Sequence, residues 1–431
     1  MKKFAILGLA VLLVAVASLP AGAIENEFGG YWRTRAYSMT DFSGDDTEAK
    51  DLTQVDTRTR LFYTAKFSDN LKLVNKFEMD AVWGDNSKNE GGDNGYGDIG
   101  ADGVRVEVKN SYVDFKLGGD LFRGEIGVMD FTLAKGFLFD DDAAGFKAIF
   151  KAAEGVYLPL IHIKANEGGI GNDANDGDVE AWVFYPTIFL SKELKLKPSV
   201  AWLTSKSYES YTVGITKAGL PGAKDLNIYA FGLELDGTVG PVDLGLTGVY
   251  ETGTIEDVPI AQIGDTIIYD DLDVSAYLMA ASAGMNFGPV NVHGQALYAS
   301  GDDEADTDLK AFINPVGASY YWAEIMGYGI IDVDVSNGSP ADQISNLMAF
   351  NAGVSFTVME KTKLTLDVWH ALLAEENANG DDELGTEIDF VASMPIVGDL
   401  NLDLVAAYLF AGDVTGDEDP IELGAQLSLS F

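Results

Sequence analysis

The sequence predicts an all-β protein, a transmembrane antiparallel β-barrel of about eighteen strands with short periplasmic turns and long extracellular loops. Three observations predict it. From Glu27 onward the chain consists of eighteen runs in which apolar residues alternate with others at a period of two, the side-chain period of a strand. The connections between runs are short and long by turns, the asymmetry of outer-membrane barrels. Aromatic residues recur at both ends of the runs, where two interfacial girdles would lie.

The amino-terminal residues read as an export signal. Met1, Lys2 and Lys3 form a short basic region, 4–19 is apolar, and Ala21-Gly22-Ala23 has the small-x-small form of a signal peptidase site. Residues 1–23 are therefore expected to be a signal peptide and 24–431 a single barrel domain. No later segment is long and apolar enough to cross a bilayer as a helix, which takes about 20 residues. The chain has no cysteine, which excludes a disulfide framework, a thiolate metal site and a lipid-anchoring cysteine. With 28 basic against 68 acidic residues and a net charge of -40, a nucleic-acid partner is excluded, because that binding needs clustered positive charge. A disordered acidic chain is excluded in turn, since 47% of residues are hydrophobic and 11% aromatic.

The runs assign their own faces. Between Leu71 and Trp83, the residues Leu71, Leu73, Phe77, Met79, Ala81 and Trp83 share an outward apolar face, while Lys72, Lys76, Glu78 and Asp80 share the inward one. Tyr277, Met279, Ala281, Ala283, Met285 and Phe287 repeat the pattern, followed across Gly288-Pro289 by Val290, Val292, Ala296 and Tyr298. Ile388 to Met394 and Leu400 to Phe410 form another such hairpin about Gly398. The last run, Ile421 to Phe431, alternates without exception. In hydrocarbon an unpaired backbone group costs several kcal/mol, so the first strand, near Phe28 to Tyr37, is expected to pair with Leu423 to Phe431 and close the barrel. The long connections are expected at 40–51, 85–103, 165–178, 204–224, 252–270, 300–345 and 374–385. Phe67, Phe287, Phe356 and Phe431 would form one girdle, and Trp83, Tyr250, Tyr298 and Phe410 the other.

The inward faces sort by charge. Early runs supply Arg33 and Arg35, Arg58, Arg60 and Lys66, Lys72 and Lys76, then Lys116, Arg123, Lys147, Lys151 and Lys164. Later runs supply Glu234, Asp243, Glu251, Asp367, Glu387, Asp389, Asp403 and Glu422. Because consecutive strands follow one another around a barrel, a basic arc should face an acidic arc and set up a transverse field. The alternative is local pairing, with Glu78 and Asp80 beside Arg58 and Arg60 forming a salt-bridged ladder between strands. Two connections have the composition to narrow the interior. Phe131 to Gly145 is short enough to fold inward. The segment 300–345 carries Phe312, Pro315, Tyr320, Tyr321 and Trp322, for which inward packing, a partner, or packing within the loop are the alternatives.

Other motifs carry little. The match to G-x-G-x-x-G at Gly95 to Gly100 precedes no helix, and Gly168 to Asp173 resembles a single copy of a calcium-binding repeat that needs stacked copies. Acidic groups around Asp302, Asp381 and Asp417 offer oxygen ligands but no defined loop spacing, so no metal site is assigned and no cofactor is implied. His162 and His293 are expected to face inward and His370 outward, too far apart to converge. No G-x-S-x-G elbow exists, so no enzyme is expected.

Several short segments resemble the alginate-export-like and related porins of Gram-negative outer membranes: Tyr31-Trp-Arg33-Thr-Arg35, Thr57-Arg58-Thr-Arg60-Leu61, Ser111-Tyr112-Val-Asp114-Phe115, Ala299-Ser-Gly301-Asp302-Asp303 and Gly385-Thr-Glu387-Ile-Asp389. The resemblance implies an eighteen-stranded fold, a channel role, and basic lining residues at Arg33, Arg35, Arg58 and Arg60. An alginate exporter is expected to present a strongly electropositive pore to its polyanion, and the acidic later arc departs from that. The expected function is passive diffusion of small hydrophilic or charged solutes through a water-filled pore in a Gram-negative outer membrane. A dedicated polysaccharide exporter, and a surface-display barrel with acidic cation-binding loops, are the alternatives. Expected partners are outer-membrane lipid, lipopolysaccharide and the barrel assembly machinery, which would read Phe431 as a terminal aromatic signal; a homo-oligomer is compatible with the sequence.

Overall fold

A computed structural model describes residues 24–42, 51–85, 97, 99, 106–167, 178–205, 225–263, 266–302, 308–314, 320–331, 344–359 and 361–431. The signal-peptide reading, the Gly168 to Asp173 repeat and most of the Gly95 to Gly100 motif lie outside them.

Twenty strand segments follow in order: β1 (Glu25–Thr40), β2 (Leu52–Ser68), β3 (Leu71–Val82), β4 (Glu107–Leu117), β5 (Phe122–Leu133), β6 (Phe139–Ala153), β7 (Val156–Asn166), β8 (Val179–Phe184), β9 (Thr187–Phe189), β10 (Leu194–Ser205), β11 (Leu226–Val239), β12 (Val242–Ile263), β13 (Thr266–Phe287), β14 (Val290–Ala299), β15 (Asp308–Leu309), β16 (Leu347–Val358), β17 (Thr362–Leu372), β18 (Glu383–Val397), β19 (Leu400–Ala411) and β20 (Ile421–Ser430). β8 and β9 both lie between β7 and β10 and together make one wall strand. β15 pairs in parallel with the loop end of β13 and belongs to a connection. The wall therefore has eighteen strands, all antiparallel to their neighbours, and β1 closes on β20 from Tyr31↔Ser430 to Thr40↔Ile421.

The exterior is the apolar face that the alternation assigns. Leu233, Leu246, Met279, Val292, Phe350, Leu366, Phe390 and Leu404 are exposed around the wall. Phe67, Phe287, Phe356 and Phe431 are exposed at the end with short turns, and Trp83, Tyr250 and Phe410 at the end with long loops. Tyr298 stacks against Tyr277 with ring centroids 5.4 Å apart. Short turns close where glycine accepts a positive φ, as at Gly288 (φ 65°) and Gly398 (φ 56°). At the seam, a β-carbon on Gly30 would lie 2.5 Å from the Phe431 ring, so the aromatic covers a glycine that leaves room for it.

Two expected loops prove to be strand. Instead of a loop over 252–270, β12 runs to Ile263 and β13 begins at Thr266, and Ile255, Val258, Leu272 and Val274 bury on the inner side of the extension. In 131–145, β5 continues to Leu133 and β6 starts at Phe139, with only a 3-10 turn, Ala134–Gly136, between them. That hairpin pairs with itself from Phe122↔Phe150 to Leu133↔Phe139, but β4 accompanies β5 only as far as Ser111↔Val128. Freed from the wall, its tip turns into the barrel.

Candidate permeation path and its constriction

The interior is filled from two sides. The β5–β6 tip crosses toward β11: the Lys135 Nζ lies 2.6 Å from Asp236 Oδ1, and the Ala134 N–H donates to the Tyr185 hydroxyl at 3.2 Å. Tyr185 in turn donates to Glu234. From the other side comes the connection between β14 and β16, whose described residues 308–314 and 320–331 pack against inward side chains of the wall. The two meet where Phe137 stacks on Tyr320, ring centroids 3.9 Å apart, with the Tyr320 hydroxyl accepting from Gln295 Nε2 at 2.5 Å. Phe137 and Phe312 are almost wholly buried. Of the alternatives for the 300–345 segment, its described part packs inward on the wall.

What holds this inner loop is a set of carboxylates on later strands. Glu387 of β18 accepts from the backbone N–H of Ile325 at 2.6 Å and of Met326 at 2.9 Å. Asp389 accepts from the Glu324 N–H at 3.4 Å, and Glu251 of β12 from the Ile313 N–H at 3.1 Å. A loop inside a barrel cannot give all its amides to water or to a strand ladder, and a buried amide without an acceptor is costly. Carboxyl oxygens on the wall supply the acceptors instead. Glu324 performs the same service within the loop, accepting from Ile330 at 2.7 Å, and burial pushes its carboxyl up to about 7. The loop also lays Trp322 edge-on against Trp369, 5.0 Å between centroids. Ile331 rests over Gly424, where a β-carbon would come within 2.5 Å of its Cδ1.

The early arc differs. Register places Arg35 opposite Asp56, Arg58 opposite Asp80 and Arg60 opposite Glu78. Arg35 grips Asp56 through Nε (3.0 Å to Oδ1) and Nη2 (2.6 Å to Oδ2), and Arg58 grips Asp80 at 2.8 and 2.6 Å. Arg60 pairs with Glu78. The ladder continues through Lys72–Asp114 at 3.3 Å, Lys76–Asp130 at 3.1 Å, Lys109–Asp142 at 2.8 Å and Arg123–Glu125 at 2.6 Å. Beside it is a cavity of about 250 Å³ lined by Arg33, Arg35, Gln54, Asp56, Arg58 and Asp80. The arc from β7 to β13 is the opposite in character. Its inward residues Ile163, Val179, Leu226, Ile228, Leu272 and Val274 are buried with Phe139 and Ile313, leaving an apolar cavity of only about 40 Å³.

Several expectations are corrected by this arrangement. The two charged arcs do not oppose one another across open water. Bases of the early arc are joined to carboxylates on their own strand or one or two strands away, and Glu251, Glu387 and Asp389 lie under the inner loop. Glu422, almost wholly buried, is next to them: it and Asp389 flank Ala407 on adjoining strands. His162 and Lys164 point outward rather than inward, because Ile161 and Ile163 take the inner face; His162 stacks on Trp182, centroids 4.4 Å apart, and Lys164 lies 2.7 Å from Asp178. Asp367 bonds His293 at 2.9 Å and Asn351 at 2.9 Å, while Asp403 meets Gln426 at 3.5 Å. The anchoring role of Glu387 and Asp389 had one signal in the sequence, inward acids with no base available nearby, and an apolar connection to receive them.

No family model matches the chain, and no curated protein matches it. Solved structures do. The chain is similar to Pseudomonas aeruginosa OccK8 (OprE), with a TM-score of 0.58 at 10% identity over 94% of this chain and 98% of that one. It is similar to Pseudomonas aeruginosa OpdK, solved with vanillate (TM-score 0.56, 12% identity, 94% and 98% covered), and to a BenF-like porin from Pseudomonas fluorescens Pf-5 (0.56, 11%, 94% and 99%). At these identities the likeness is one of architecture, and that architecture is the closed eighteen-stranded barrel of the porins.

Proposed function

We propose that the protein is an outer-membrane channel of a Gram-negative bacterium, admitting small hydrophilic solutes by passive diffusion. One observation carries the reading: a closed barrel with an apolar exterior keeps a polar, charge-paired lane along β1–β4, while an inner loop and a hairpin tip fill the remainder. Arg33, Arg35, Arg58, Arg60, Lys76, Glu78 and Asp80 line that lane. Asp367, Glu387, Asp389 and Asp403 belong to β17–β19, which β20 joins to β1, and there Glu387 and Asp389 fix the loop that bounds the passage. A hydrated solute moving along the ladder exchanges water for fixed donors and acceptors, and an apolar one finds no compensation for the water it displaces. Refolded protein in a planar bilayer should give discrete conductance steps; a preparation with native heat-modifiable mobility and no conductance would contradict the reading. On the same reading Phe431 is the aromatic engaged by the assembly machinery, so Phe431→Ser should lower the amount of barrel inserted in cells, and undiminished insertion would leave it a girdle residue.

A dedicated exporter of an alginate-like polyanion needs a lane of bases not joined to carboxylates. The ladder here is the reverse, so diffusion of small solutes is the better supported of the two.

A further inference from the structure

The two ends of the barrel differ sharply in charge. At the loop end, the connection 373–382 carries Glu375, Glu376, Asp381 and Asp382, and 412–420 carries Asp413, Asp417, Glu418 and Asp419. Neither contains a lysine or arginine, and none follows Lys363 anywhere in the sequence. Glu375, Glu376, Asp382, Asp413 and Asp417 are exposed. The raised tip of the β12–β13 hairpin adds Glu256, Asp270 and Asp271, also exposed. The turn end is mixed: Lys66 pairs with Glu27, Lys116 with Asp120 at 3.1 Å and Lys151 with Glu154 at 3.0 Å, while Lys361 lies in the β16–β17 turn and Lys363 just after it.

Between these ends the ladder contributes little net charge, since its arginines and lysines are bonded to Asp56, Glu78, Asp80, Asp114, Asp130 and Asp142. The solvent-exposed charge of the described residues therefore differs along the pore axis, from the acidic loop end to the mixed turn end. A low-dielectric wall focuses such a field into the mouth, raising the local concentration of counter-ions and lowering that of co-ions. No individual ion site is involved; the effect belongs to the mean potential of the loop end.

From this axial asymmetry we infer that the channel passes cations in preference to anions, with selection made at the acidic loop end rather than on the arginine ladder. The inference deepens the proposed channel function and rests on it. Chemically, inorganic cations and small organic ammonium ions should enter more readily than chloride or small carboxylates of the same size. Because the responsible charges are solvent-exposed, screening should weaken the preference once the Debye length falls from about 10 Å at 0.1 M salt to about 3 Å at 1 M.

The test is the reversal potential of the refolded full chain across a KCl gradient. Between 0.05 and 0.5 M KCl the sign should be that of a cation-selective pore, with a potassium-to-chloride permeability ratio of about 3 or more, falling toward 1 when both sides approach 1 M. A variant carrying Glu375→Gln, Glu376→Gln, Asp382→Asn, Asp413→Asn and Asp417→Asn, none of which touches the ladder or the inner loop's anchors, should lose at least half of the excess over 1. Native heat-modifiable mobility would show that its barrel is folded. A reversal potential of anion sign, or a cation preference that the variant leaves intact, overturns the inference while leaving a channel. Absence of conductance from folded protein overturns the channel reading itself and this inference with it.

Discussion

The early and later arcs of the wall use the same side chains for opposite ends. On β1–β6 an inward carboxylate meets an arginine or lysine across the strand pair, as Asp80 meets Arg58, and the pair remains beside water. On β12 and β18 an inward carboxylate meets no base and accepts backbone amides of the inner loop, as Glu387 does from Ile325 and Met326. Charge on an inner face therefore does not by itself mean a wet lining. What matters is whether the neighbouring strand supplies the counter-charge. Where it does, the wall is complete and solvent can stay; where it does not, the charge recruits another part of the chain.

This contrast orders the expected effects of substitution. The largest belongs to the later arc. Glu387→Ala removes both acceptors from two buried amides, and the two unsatisfied buried donors left behind should cost about 3 to 5 kcal/mol of loop docking. Single-channel conductance should rise severalfold and the amides of 320–331 should lose hydrogen-exchange protection. A variant with unchanged conductance would break the comparison.

A smaller effect comes from Glu324. Its carboxyl titrates at about 7 when buried against the loop, above its ordinary value near 4.5, so the docked loop holds a proton that the released loop gives up. Docking is therefore strongest below about 4.5, weakens as pH rises through about 7, and changes no further above that. The whole shift is about 3 kcal/mol. Exchange protection of 322–331, corrected for intrinsic rates, should be greater at pH 5 than at pH 8, and Glu324→Gln should flatten the difference; an unchanged profile in that variant would assign the titration elsewhere.

The early arc should be the least sensitive. Arg58→Gln breaks a pair in which the Asp80 side chain is 48% exposed, and such pairs contribute at most about 1 kcal/mol. The denaturant midpoint should hardly move, whereas a loss as large as that of Glu387→Ala would remove the distinction between the arcs.

Much of this was legible in the residues. Period-two alternation counts the eighteen strands, the unbroken pattern at Ile421 to Phe431 marks the seam with β1, and the spacing of Arg58 and Arg60 against Glu78 and Asp80 anticipates the ladder. The later arc was not legible for a physical reason. Alternation shows that Glu387 and Asp389 face inward, but the occupant of the interior is decided by a connection far away in sequence. The outward placement of His162 and Lys164 is hidden in the sequence because Leu160, Ile161 and Ile163 make both faces of β7 apolar, so composition does not reveal which is inside. The β12–β13 extension has the composition of a loop, with its acidic residues, Gly264 and Pro259. Its inward Ile255, Val258, Leu272 and Val274 show why it is ordered as strand.

The central claim is that water follows the early arc and is shut out of the later one. Since the chain contains no cysteine, single introduced thiols report on this without background. Asp80→Cys places a thiol on the ladder, and Ala407→Cys places one between Asp389 and Glu422 beneath the inner loop. A small hydrophilic methanethiosulfonate added during bilayer recording should react rapidly with Asp80→Cys and step the conductance down, and should leave Ala407→Cys unmodified. Equal reaction at both positions, or faster reaction at Ala407→Cys, would contradict the account.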